Sequence, residues 1–365
     1  MESTVGIRWA FSPKRQSAYA TALANADLTL SPPFEGADFG EHTPNMSDNA
    51  ALFGKGHEFA TRNYLLSWDS RFRRSAFLTT KLAGWAFAFH TGKVTTTPAD
   101  IGPPAAHQHV FEYQDPFDVG YYGSGRQLPV TTVVEQATSG LVRKFPSMVV
   151  SALELSGKMN DFCRIGVDLI GSGMMSRIPA TGVGSMTWPV GASGDEGDRL
   201  RNTAMLFEHG ETGALADVSC DIRSWRFRSE YSLAEDDGYC PGSGYLTPGD
   251  PSSGQVRNKL EFLRRACMLE WVVRAGSGVT LFENLEQQVE LAAKVTLTGT
   301  DINATDANQV IVNVPRLMYR AVPIGSDGDI ITYALSTVVF YDDTLANPWE
   351  VTVTNDVAEY LTAAV

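Results

Sequence analysis

Between Met148 and Gly171 apolar and polar side chains alternate with a period of two. Cys163, Ile165, Val167 and Leu169 share one parity, and Arg164, Gly166 and Asp168 the other. A strand with one apolar and one wet face has this signature. Upstream, Val149, Leu153 and Leu155 alternate with Ala152, Glu154 and Ser156, and the turn-rich Ser156-Gly-Lys-Met-Asn-Asp161 joins the two runs. The segment predicts an antiparallel hairpin.

A second stretch, Ala266–Gly299, repeats the scheme. Cys267, Leu269, Trp271 and Val273 alternate with Met268, Glu270 and Val272; after a longer link, Val289, Leu291, Ala293, Val295 and Leu297 alternate with Glu290, Ala292, Lys294, Thr296 and Thr298. The offset is about 118 residues at the first strand and about 126 to 134 beyond the link. A drifting offset of this size predicts a duplicated domain with loop insertions, not a short-period solenoid. The expected division is an N-terminal arm over 1–58, a first domain over 59–215 and a second over 216–365.

One helix stands out. Leu82, Trp85, Ala86 and Phe89 make a single apolar stripe, Thr79 or Thr80 can cap the first turn, and Gly92 sits at the C-terminal stop. A helix over Thr79–Phe89 covering one sheet face is the expectation. Further strands are predicted at Val130–Glu135, Ala216–Arg223, Val310–Val314 (ended by Pro315), Ile330–Tyr341 and Trp349–Thr354. Asp115–Gly125 reads as a loop, and Ser229–Gly254, with Pro241-Gly, Pro248-Gly and Pro251, as a long polar excursion.

Composition allows a core and little else is special. The 365 residues are 43% hydrophobic with a net charge of −13, which argues against general binding to phosphate backbones. Cys163, Cys220, Cys240 and Cys267 lack metal or redox spacing, and a disulfide framework is not expected. No apolar run approaches the roughly 18 residues of a membrane helix, and no secretory leader is expected at the N-terminus.

Catalytic motifs are absent: there is no GxSxG, HExxH, EF-hand loop or Walker A sequence. His90, His107 and His109 lack ligand spacing, so neither a metal nor a cofactor is expected. Scattered carboxylates such as Asp161 with Asp168 read as exposed turn and strand residues. A structural role, without catalysis, is the expectation.

The order Thr79-Thr-Lys-Leu-Ala-Gly-Trp-Ala-Phe-Ala-Phe, Gly92, Val130-Thr-Thr-Val-Val-Glu135 and Phe145-Pro-Ser-Met-Val-Val-Ser-Ala-Leu-Glu-Leu-Ser156 resembles phage tail tube proteins. So do Gly238-Tyr-Cys-Pro-Gly242, Leu297-Thr-Gly299, Val314-Pro-Arg-Leu and Val351-Thr-Val-Thr-Asn355 in the second half. The resemblance implies a mainly β chain: two tandem β-sandwich or half-barrel domains with a flanking helix, whose strands complete an inter-subunit β-barrel. It implies self-assembly into rings of three chains if the domain is duplicated and six if not. Stacked rings would form the tail of a virion, assembled in the host cytoplasm and conducting double-stranded DNA. Its partners would be tape-measure, tail-terminator and baseplate or tail-tip proteins, with no membrane.

Strand parity then nominates Glu154, Arg164, Asp168, Glu270, Glu290 and Lys294 as lumen-facing, a net negative set that would disfavour DNA sticking. The inter-subunit barrel strands would be those carrying Val149, Leu153, Ile165, Val167, Leu269, Trp271, Leu291 and Val295. Two other readings are the inner tube of a tail-like injection device and a carbohydrate-binding β-sandwich. The latter needs aromatic clustering, whereas Trp9, Trp68, Trp85, Trp188, Trp225, Trp271 and Trp349 are spread along the chain.

Overall fold

The computed structural model describes residues 8–31, 34–35, 40–47, 64–100, 105–138, 140–179, 181–189, 199–240, 244–247, 250–276 and 279–364. In chain order the elements begin with β1 (Arg8–Ala10), β2 (Phe34–Glu35), β3 (Glu41–Ser47), β4 (Tyr64–Phe77), α1 (Thr80–Thr91), β5 (Gly92–Asp100) and β6 (Ala106–Tyr113). They continue with β7 (Thr131–Thr138), β8 (Leu141–Lys158), β9 (Arg164–Gly171), β10 (Ser176–Ile178), β11 (Met205–Glu211), β12 (Ala214–Asp217) and β13 (Ile222–Leu233). The last are β14 (Phe262–Arg274), α2 (Val279–Glu286), β15 (Leu291–Asp301), β16 (Ala307–Ala321), β17 (Ile324–Asp327), β18 (Ile330–Val339) and β19 (Glu350–Asn355).

The chain is mainly β, and its strands join one large antiparallel sheet. Among the described residues the ladders branch but never return on themselves, so the sheet is not closed into a barrel. One arm of it runs β4-β9-β8-β13-β14-β18. The other runs β12-β11-β15-β16-β19-β6-β5. They meet where the end of β16 pairs with β18 (Leu317 opposite Val339). Across this join the apolar faces pack against each other. Phe207 of β11 lies 5.4 Å from Trp271 of β14, and Phe227 of β13 lies 5.3 Å from Trp349 beside β19.

Helix α1 sits inside this fold. Thr79 accepts a hydrogen bond from the Leu82 N–H, and Gly92 closes the helix at φ 78°. The expected single stripe is corrected. Every residue from Leu82 to Thr91 is buried, because strands flank the helix on more than one side. A helix surrounded by protein needs no polar face. Asn308 of β16 and Asn355 of β19 bind its first turn at Thr80.

The predicted hairpin at 148–171 is β8 paired with β9. Its supposed second copy does not pair with itself: β14 joins β13 and β18, while β15 joins β11 and β16. The reason is the link. Helix α2 carries the chain from one arm of the sheet to the other, where a tight turn would have returned it alongside. The second hairpin is instead β13–β14, joined by the polar excursion. That excursion is pinned by Arg257, which reaches Asp69 at 2.7 Å, and by the Trp68 indole donating to the Ser253 carbonyl at 2.7 Å.

Two boundaries also move. The strand expected over Ala216–Arg223 is interrupted by a 3-10 turn at Ser219–Asp221. Strand β16 passes through Pro315, where a register shift opposite Leu291 and Ala293 spares the ladder the missing N–H. Among the described residues no helix is long and apolar enough to cross a membrane.

Candidate functional site: the charged sheet face

The β4-β9-β8-β13-β14-β18 arm has two unlike faces. One carries Leu153, Leu155, Ile165, Val167, Trp225, Phe227, Leu269 and Trp271 and is sealed in the core. Opposite-face residues line up in rows across the strands. Arg73, Asp168, Ala152, Glu230 and Ala266 make one row. Ser75, Gly166, Glu154, Arg228 and Met268 make the next, and Arg164, Ser156, Arg226, Glu270 and Ser336 the one after.

The charges in these rows neutralise one another. Glu154 accepts from Arg226 at 2.7 Å and lies 3.5 Å from Arg228; Arg228 also binds Glu230 at 2.8 Å. Arg73 faces Asp168 at 3.4 Å, Arg226 lies 3.9 Å from Glu270, and Arg164 lies 3.9 Å from Asp161. Partial burial, with Glu154 and Glu230 nearby, raises the Asp168 pKa against the pull of Arg73 and Arg228. Gly166, lacking a side chain, leaves a shallow hollow of about 240 Å³ amid Arg73, Arg164 and Arg228.

Four of the six residues nominated from parity share this face: Glu154, Arg164, Asp168 and Glu270. Glu290 and Lys294 do not. They belong to the other arm, where Arg316 grips Glu290 with bonds of 2.9 and 2.8 Å and Lys294 pairs with Glu208 at 3.4 Å. The Arg316 hydrogen bonds hold the Glu290 pKa below its usual value. The charge of this face is balanced rather than negative. Four carboxylates meet four arginines in these rows, and Lys158, Arg264 and Arg274 add positive charge towards the strand ends.

The residues nominated from parity leave out Arg73, Arg226, Arg228 and Glu230. Their signal was present: Trp225, Phe227 and Tyr231 alternate with Arg226, Arg228 and Glu230. Of the proposed barrel-strand residues, Val149, Leu153, Ile165, Val167, Leu269 and Trp271 lie on this arm and Leu291 and Val295 on β15; all eight are at most 2% exposed.

At one end of the charged face lies a cleft of about 520 Å³. It opens beside the β8–β9 turn, over the paired ends of β14 and β18. Phe162, Val272, Pro323 and Ala334 form apolar walls, and Lys158, Arg164, Arg226, Asp161 and Glu270 the charged rim.

His90 and His109 serve the core. His90 donates from Nδ1 to the Val150 carbonyl (3.1 Å) and accepts at Nε2 from the Ser229 hydroxyl (2.6 Å). The Tyr113 hydroxyl donates to Ser229 Oγ at 2.5 Å and accepts from the Trp349 indole at 3.1 Å. Each side-chain polar atom of this His90–Ser229–Tyr113–Trp349 relay has its partner, and burial lowers the His90 pKa to about 3. His109 binds Asn355 and Thr96. Among the described residues no three His, Cys, Asp or Glu side chains are grouped to hold a metal. No protein-family model matches the chain, and no curated protein sequence matches it.

Proposed function

We propose that this chain is a structural subunit of a hollow tube of the phage tail tube kind, a conduit for double-stranded DNA without catalytic function. The observation that carries the reading is the pair of adjacent hairpins, β8–β9 and β13–β14. They give four consecutive antiparallel strands with one face buried and the other covered by ion-paired side chains.

Two features support assembly from such a sheet. Between Leu263 and Met268 the outer edge of β14 pairs with no other strand among the described residues, and Leu263 on that edge is 56% exposed. An unpaired edge invites a strand from a second chain, and closure around a ring satisfies it. The opposite edge, along β4, is occupied by β3 and β2 from the N-terminal arm. Because the two hairpins join edge to edge into one four-stranded set in each chain, the reading favours six chains per ring over three.

A wall of neutralised charge suits a conduit. Arginines held by carboxylates are poor counterions for phosphate, and so DNA can pass without sticking. Negative-stain electron microscopy with light scattering tests the proposal. Hollow tubes or rings with a central channel are the expected result, their symmetry deciding between six and three chains. A monodisperse monomer at all concentrations, and in the presence of the tail-initiating proteins, would overturn it.

A further inference from the structure

The two ends of the charged sheet are unlike and complementary. At the start of β14, where Phe262 N–H bonds the Arg126 carbonyl, the loop Asp115–Gly125 projects. Its base is fixed by the Gln114 amide donating to the Gly125 carbonyl at 2.9 Å. Its tip is apolar and bare: Phe117 is 90% and Val119 77% exposed. Asp115 precedes them and Asp118 lies between them, both exposed. A phenylalanine standing almost wholly in water is costly for the isolated chain and marks a contact.

The other end of β14, at Val272, holds the cleft. Ten residues of strand at about 3.3 Å each separate the two by about 33 Å. The cleft presents apolar walls at Phe162, Pro323 and Ala334, and its rim mixes Lys158, Arg164 and Arg226 with Asp161 and Glu270. Among the described residues Lys158 on that rim has no ion pair. The tip therefore offers an aromatic ring and two negative charges, and the cleft an apolar recess and, at Lys158, a cation outside the ion pairs of the described residues.

We infer that the Phe117–Val119 tip of one copy docks in the cleft of the next, stacking chains head to tail along the strand direction. The occupant is a second copy of this chain. The contact is heterologous, joining different surfaces at opposite ends of the molecule, so it propagates without closing on a dimer. The inference deepens the tube reading and rests on it for placing the axis of stacking along the ring normal.

The test is photo-crosslinking with p-benzoylphenylalanine in place of Phe117, in mixtures of isotopically light and heavy chains, mapped by mass spectrometry. Inter-chain crosslinks to Phe162, Pro323 or Ala334 are expected. Phe117→Asp and Ala334→Glu, both at exposed sites, should each raise the concentration for half-maximal light scattering at least about tenfold. Asp118→Lys should weaken assembly and Lys158→Glu in the same chain restore it. Tubes of normal length from Phe117→Asp, or crosslinks confined to other surfaces, would overturn the docking and leave the conduit standing. Solid head-to-tail fibres with the expected crosslinks would sustain the docking and overturn the conduit. An absence of both crosslinks and assemblies would overturn both.

Discussion

Glu135 is a charge held on several sides. Its side chain is fully buried between Arg74, 3.8 Å away, and Arg143, and it accepts from the Gly40 N–H at 3.0 Å. Arg74 in turn lies over the Trp9 ring at 4.2 Å. One carboxylate thus ties β4, β7, β8 and the N-terminal arm together. Glu135→Ala leaves two guanidinium groups poorly compensated and should cost about 3–5 kcal/mol, measured by denaturant unfolding. His90 supplies a pH signature. Its folded pKa of about 3 lies below the ordinary histidine value, so the unfolded chain binds more protons wherever the pH lies between the two. Stability should therefore fall as pH drops from about 6.5 towards 4, by up to about 1.4 kcal/mol per unit from this group. His42 and His109, each lowered to about 4 chiefly by burial, act in the same direction. A flat unfolding midpoint across that window would contradict the assignment.

At the scale of elements, α1 depends on its ends as well as on its burial. Thr79→Ala removes the cap on the Leu82 N–H and should cost about 1 kcal/mol, checked by thermal unfolding. The helix itself was legible because stripe, cap and stop agree at Leu82, Thr79 and Gly92. Its full burial was not, since Phe87 and Ala88 lie off the stripe and only the packed sheets show what covers them. The β8–β9 hairpin was legible for a similar reason: a short turn leaves two alternating runs one way to pair. Periodicity also gave β14 and β15 correctly as strands, but it carries no information about partners. Trp271 pairs with Trp225 and Val295 with Phe207, contacts between segments tens of residues apart. The same blindness misplaced Glu290 and Lys294, whose parity is right for a wet face but whose strand belongs to the other arm. Arg226 and Arg228 were missed although their alternation was visible, because a charged residue's role depends on which carboxylate stands across the ladder.

For the whole molecule the proposed conduit role raises the question of how a chain of net charge −13 could present an arginine-bearing face to DNA and not bind it. The pairing supplies the reason. Glu154 alone engages both Arg226 and Arg228, and each arginine so held has less charge to offer a phosphate. If the face lines a channel, removing that carboxylate converts a slippery wall into an adhesive one. Glu154→Gln keeps the shape and releases the two arginines, so assembled tubes should retain double-stranded DNA more tightly. The added retention should weaken with salt, the slope of log K against log [salt] steepening by about one to two. Glu290→Gln, which frees Arg316 on the other arm, is the control. It should leave retention unchanged although it removes an equal charge from the chain. Equal retention by wild type and Glu154→Gln tubes at low salt would mean that this face does not meet DNA. The charged rows would then have to be read as an outer surface, with the ion pairs serving solubility alone.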